Sequence, residues 1–219
     1  MKLTVCVSLL ALILALTALG QVSSPPAAET TLAARVAGLA KHDGFFSYYW
    51  DEKKGDTLFE IPAAALNREF LYFTGLGSGV GSINLFADKS SFSGQQLCRL
   101  RRSGKRVLVI AENTAFRAEN GSPGLKRSVE SSFPTSVLAS LPIEAEQDGT
   151  LVVNANSLLL RDASDLISQL RRPTRAQGGR LVREETNGAN WRLDDGRSAV
   201  DWDHTGSFPL NTEFEVLLT

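Results

Sequence analysis

The chain reads as many short β-prone runs at roughly 8–12-residue spacing, bounded by glycine, proline or charge. The densest run is Phe45-Phe46-Ser47-Tyr48-Tyr49-Trp50, which places five aromatic rings in six positions out of 11 Phe, 3 Tyr and 3 Trp in the whole chain. Asp43 and Asp51 bracket it. The turn Glu52-Lys53-Lys54-Gly55 and the run Thr57-Leu58-Phe59-Glu60-Ile61 follow, which predicts a hairpin ended by Pro62. Residues 69–76 predict a strand buried by its apolar run. Residues 96–102 and 106–111 predict the clearest hairpin, across Ser103-Gly104-Lys105, with Val107 to Ile110 central and Arg99-Leu100-Arg101 half-exposed. A short strand is expected at 116–118. Residues 137–146 pair with 150–154 across Gln147-Asp148-Gly149, an Asp-Gly turn signature. Residues 180–183, 191–193, 198–202 and 213–218 complete the strands.

Helical spacing is rarer. Thr30 or Thr31 can cap a helix with Leu32, Val36, Leu39 and Ala40 on one face, stopped at Gly44. One helical turn is expected at 63–67. A short helix at 125–132 is entered through Ser122-Pro123. Asn156 or Ser157 caps another that runs towards Leu170. Loops are predicted at 75–81, where Gly75, Gly77, Gly79 and Gly81 alternate, and at 171–179. No repeat of 20–50 residues is visible. The pattern predicts an α+β, β-dominated fold: antiparallel sheets built from hairpins, with three or four short helices.

Composition changes this picture at the N-terminus. Residues 1–20 carry a single charge, Lys2, ahead of an almost wholly apolar stretch that ends Ala18-Leu19-Gly20. This predicts a signal peptide cleaved after Gly20, because the small-x-small ending favours removal over a retained anchor. Residues 21–29 read as a flexible leader, and 30–219 as a single β-rich domain. The chain is therefore expected to be exported, to the periplasm or the extracellular space, and to have no membrane contact after cleavage. With 23 basic and 24 acidic residues the surface is near neutral, which gives no electrostatic case for nucleic acid. Cleavage removes Cys6 and leaves Cys98 alone, so no intrachain disulfide is available. Cys98 sits in a strand-like run and reads as a small buried apolar residue.

Candidate chemistry is sparse. The only histidines are His42 and His204, and no H-E-x-x-H helix occurs. Ser78 lies in Gly77-Ser78-Gly79, which is not a nucleophile elbow. The glycines of 75–81 lack the following helix and lysine of a phosphate loop. Asp201, Asp203 and Thr205, with Gly206 sixth, echo a calcium loop, but Thr212 stands at the twelfth position in place of glutamate. The competing reading puts Asp201 and Asp203 on the solvated side of an edge strand. Tyr48, Tyr49 and Trp50 are the candidate binding residues: an exposed platform for glycan or peptide, set against a strand packed on the core. Asn120-Gly121-Ser122 matches a glycosylation sequon.

Two stretches carry a family resemblance. One is Gly44-Phe45-Phe46-Ser47-Tyr48-Tyr49-Trp50-Asp51-Glu52-Lys53 with Leu58 to Pro62; the other is Arg197-Ser198-Ala199 with Phe208-Pro209-Leu210-Asn211-Thr212-Glu213. Between them, Glu69 to Tyr72, Val107-Leu108-Val109, Ser136-Val137-Leu138 and Leu159-Leu160-Arg161-Asp162 fall in matching order. Over about residues 38–219 the chain resembles the domain of unknown function that precedes the catalytic domain in exported bacterial zinc-dependent metallopeptidases. The resemblance implies a non-catalytic accessory or scaffold domain whose partner is the catalytic metallopeptidase domain, in cis or in trans. Zinc is implied for that domain alone; no catalytic residue and no cofactor is carried onto this chain. Because the family continues where this sequence ends at Thr219, a truncated product or a stand-alone version of the domain is expected. The alternative is an independent envelope binding module using the aromatic strand.

Overall fold

The computed structural model describes residues 31–79, 89, 92–171 and 191–219. The predicted signal peptide, the leader, Gly81, the loop after Arg171 and the strand at 180–183 lie outside them. The strands are β1 (Lys41–His42), β2 (Ser47–Asp51), β3 (Asp56–Pro62), β4 (Glu69–Gly75), β5 (Phe92–Ser103), β6 (Arg106–Ala111), β7 (Ser136–Gln147), β8 (Thr150–Asn154), β9 (Ala199–Phe208) and β10 (Asn211–Leu217). The helices are α1 (Leu32–Arg35), α2 (Pro123–Ser132), α3 (Asn156–Leu159) and α4 (Leu166–Arg171). The fold is α+β and β-dominated, as the short β-prone runs predict.

Eight strands form one antiparallel sheet in the order β1-β2-β3-β8-β7-β6-β5-β4, and β9 and β10 form a separate hairpin. The turns at Gly55, Gly104 and Asp148-Gly149 fall where the sequence places them, whereas β9 runs past the predicted 198–202 to Phe208 and turns at Pro209-Leu210 into β10, a hairpin the sequence does not predict. At the β7–β8 turn Asp148 and Gly149 both take positive φ (50° and 77°), the conformation that matches the right-handed twist of the flanking strands. β3 then joins β8 in register from Leu58↔Asn154 to Pro62↔Thr150, so a late hairpin is clamped between early strands.

The sheet curls. Phe70 on the edge strand β4 meets Phe46, just before β2, at 5.2 Å between ring centroids. The inner face of this curl holds the main core, with Tyr48, Phe59, Ile61, Cys98, Leu100, Val107, Val109, Leu141, Leu151 and Val153 all buried. Burying an aliphatic or aromatic side chain of this size is worth about 1.5–3 kcal/mol each, so this cluster dominates stability. The β9–β10 hairpin lays Trp202 and Phe214 across its mouth. The outer face carries a smaller cluster of Tyr49, Leu58, Ala145 and Val152, covered by Leu32, Val36 and Leu39.

Several sequence expectations are corrected. The first helix is one turn, capped by Thr31, whose Oγ1 accepts from Ala34 N at 3.3 Å. It ends well before Gly44, because Gly38 turns the chain at φ 76° and Lys41–His42 are taken into the sheet beside Tyr48 and Tyr49. Strand β4 is not buried on both faces. It is an edge, Phe70 and Tyr72 point inward, and Leu71 and Phe73 stay 64 % and 53 % exposed. The expected strand at 116–118 is a loop held by the Asn113 side chain, which accepts from Ala115 N and Phe116 N. Residues 191–193 are irregular.

The long helix expected from Asn156 to Leu170 is broken into α3 and α4. The carboxylate of Asp162 accepts from Leu166 N and Ile167 N, which starts a new helix. Asn156 does not cap α3. Its side-chain oxygen accepts from Thr57 N at 3.0 Å and its nitrogen donates to Asp56, stitching the α3 start to β3. As expected, α2 is entered through Ser122-Pro123, and Ser122 is its cap, accepting from Leu125 N.

Candidate functional site

The aromatic run forms an inner seam and not an open platform. Successive residues of β2 point to opposite faces. Tyr48 therefore enters the inner core at 2 % exposure, and Tyr49 joins the outer cluster at 6 %. Trp50 is half-buried with its ring 4.2 Å from that of Trp202. The exposed three-ring face that a glycan or peptide platform requires is absent, because the pleat separates the two tyrosines. Tyr48 packs on Phe214 at 5.1 Å and Trp202 at 5.6 Å, and Phe214 also reaches Phe59 at 5.4 Å. The Trp202 Nε1 is buried and has no hydrogen-bond partner among the described residues.

The two stretches that carry the resemblance meet in space. Phe45 N donates to Phe208 O at 2.8 Å, and Phe46 N donates to Thr212 Oγ1 at 3.1 Å. Thr212 Oγ1 and Ser207 Oγ both donate to Phe46 O. Gly44 makes this approach possible: a Cβ there would sit 1.8 Å from Ser207 Oγ and 2.9 Å from Phe208 O. Its place in the sequence pattern reflects close backbone approach and not a helix stop.

On the outer face Arg35 holds a group of carboxylates. Its Nη1 is 3.2 Å from Asp51 Oδ2, its Nη2 3.7 Å from Asp56 Oδ2, and its Nε donates to Glu144. Both Arg35 and Asp51 side chains are about nine-tenths buried, at 10 % and 9 % exposure. Nearby, Tyr49 donates its hydroxyl to Glu60, which also pairs with Lys41 at 2.9 Å. Burial, reinforced by the Glu60 hydrogen bond, pushes the Tyr49 phenol up to about 12. Burial also raises the Cys98 thiol, to about 11, which makes it a poor nucleophile.

The chemistry-bearing cluster lies on the β9–β10 hairpin. Gly206 pairs with Glu213 and Asp201 with Glu215, so β10 advances two residues while β9 advances five, and Trp202 to Thr205 bulge out. The bulge folds His204 back onto Asp201, with Nδ1 to Oδ2 at 3.1 Å. The Asp201 hydrogen bond, and then its charge, raise the His204 imidazole above its usual value. The calcium-loop residues do not converge as that motif requires. Thr205 Oγ1 donates to the Asp201 carbonyl at 2.7 Å, and Asp203 enters through its backbone, its N donating to Asp201 Oδ1. Instead the donor atoms of Asp201, His204 and Glu215 all lie within 4.8 Å of one another. Glu215 was invisible to motif reading because only the bulge brings it opposite Asp201. His42, by contrast, stacks on Tyr48 at 4.7 Å and belongs to the sheet edge.

Among the described residues no helix is long and apolar enough to cross a membrane. Neither a curated protein nor a solved structure matches the chain. Two family models do, each described as a domain of unknown function: DUF5118 over residues 37–79 and DUF5117 over residues 91–219. The boundary between them falls between β4 and β5, which are hydrogen-bonded neighbours from Glu69↔Arg99 onward, and β3 from the first stretch pairs with β8 from the second. The two matched stretches thus build a single sheet around one core. With more than half of its length matched by the larger model, the chain belongs to the DUF5117 family of domains of unknown function.

Proposed function

We propose that this chain is an exported, non-catalytic scaffold domain that docks on the catalytic domain of a zinc-dependent metallopeptidase, in cis or in trans. One observation carries the reading. The interior of the curl is filled by Tyr48, Phe59, Trp202 and Phe214 instead of being open to a substrate, while large apolar side chains stand exposed at its rim. Leu71 and Phe73 on edge strand β4, and Phe208 and Leu210 at the β9–β10 turn, are of this kind. Exposed apolar side chains around a filled core suit protein contact better than catalysis. The resemblance of 44–53 and 197–213 to the pre-catalytic region supplies the partner.

The test has two parts. Purified protein incubated with zinc and casein is expected to give no hydrolysis above buffer, and zinc-dependent cleavage that persists through repurification would overturn the proposal. Mixed with a catalytic domain bearing an H-E-x-x-H helix, the protein should co-elute in gel filtration, and Leu71→Lys with Phe73→Lys should weaken that co-elution.

A further inference from the structure

The geometry points to a surface site for a divalent transition metal of the zinc class, held by Asp201, His204 and Glu215. This inference does not depend on the docking role. Three features of the hairpin lead to it. Asp201 and Glu215 are direct cross-strand partners, and like charges directly opposite each other on a ladder destabilise it. A positive group between them removes that cost. The bulge in β9 then supplies the imidazole: residues three apart in a regular strand face opposite ways, yet His204 Nδ1 lies 3.1 Å from Asp201 Oδ2. Finally, the chain leaves room at the third ligand. Gly77, beyond β4, sits where a Cβ would be 3.1 Å from Glu215 Oε1.

The donor set chooses the ion. Two donors bound to one zinc at about 2.1 Å each lie at most about 4.2 Å apart, and the observed spread of 4.8 Å closes to that with small rotations of exposed side chains. The His204 side chain is 65 % exposed, so rotation of its ring is not blocked by packing. One imidazole nitrogen with two carboxylates suits zinc, cobalt or nickel. Calcium wants six to eight oxygens, and the Thr205 hydroxyl is already committed to the Asp201 carbonyl. A bound metal would clip β9 to β10 across the bulge, and its outward face would remain open to water.

Equilibrium dialysis of the purified protein against zinc chloride at neutral pH tests the site, with casein hydrolysis assayed on the same samples. We expect one zinc per chain, weakened at least about tenfold by His204→Ala and by Glu215→Gln, the lower end of what even supporting residues contribute in metal sites. Asp203→Asn should leave binding unchanged, and millimolar calcium should not compete. Circular dichroism of each variant checks that the hairpin still folds. Absence of uptake, uptake untouched by His204→Ala, or loss with Asp203→Asn would each overturn the site. Uptake without proteolysis supports the site and leaves the scaffold proposal standing. Uptake with proteolysis supports the site and overturns the scaffold proposal alone.

Discussion

The inner face of the sheet is covered by the β9–β10 hairpin and the outer face by α1 with the turn that follows it, and the two covers are held differently. Inside, Trp202 and Phe214 pack at tilted angles on Tyr48, and Phe214 on Phe59, and the hairpin is tied on by Phe45 N to Phe208 O and by Thr212 around Phe46. Outside, the smaller apolar cluster of Tyr49, Leu58, Ala145 and Val152 lies beneath Leu32, Val36 and Leu39, and the cover is pinned by Arg35 among Asp51, Asp56 and Glu144. The inner cover thus rests on area and shape, which tolerate salt. The outer one rests on a partly desolvated charge group, where losing one member strands the others.

Arg35→Ala should therefore show the largest effect, a loss of about 3–5 kcal/mol in urea unfolding, because it leaves three carboxylates grouped on a half-dry surface. A loss below about 1 kcal/mol, the range of an exposed pair, would erase the contrast between the two covers. Gly44→Ala comes next, at about 1–3 kcal/mol, because the new methyl overlaps Ser207. Pairing it with Ser207→Gly should restore part of that loss in the same assay, since Ser207 supplies the two nearest atoms. Failure of the double variant to recover would place the strain elsewhere.

The last effect is read in alkali. The Tyr49 phenol ionises near 10 when unfolded and at about 12 when folded, so its contribution is complete below pH 10 and is lost as pH rises towards 12. Cys98 acts in the same direction, from its usual 9.0 to about 11. Thermal melts should thus fall in midpoint between pH 9 and 12, and Tyr49→Phe should flatten the upper part of that slope. A slope unchanged in Tyr49→Phe would mean that the outer cluster opens before the phenol ionises.

Much of the fold is legible in the sequence itself. The hairpin turns at Gly55, Gly104 and Asp148-Gly149, the helix starts near Thr31 and Ser122-Pro123, and the central place of Val107 to Ile110 all follow from signals a few residues long. The errors share a cause. Strand β4 read as doubly buried because its sequence cannot reveal that nothing lies beyond it, and the 156–170 helix read as continuous because Asp162 looked like part of its face instead of a second cap. The candidate site was half-legible. Asp201 and His204 stood in one short motif, but their third partner came from another strand through a register shift.

What the amino acids determined by themselves was most of the strands, most of the turns and the identity of the apolar residues, since alternation and turn chemistry act between near neighbours. What only the tertiary structure decided was which strands are edges, why Gly44 must lack a side chain, and how Glu215 comes to face Asp201. Those outcomes depend on contacts such as Phe46 with Thr212, 166 residues apart, which exist only after the sheet has curled and the bulge has set the register.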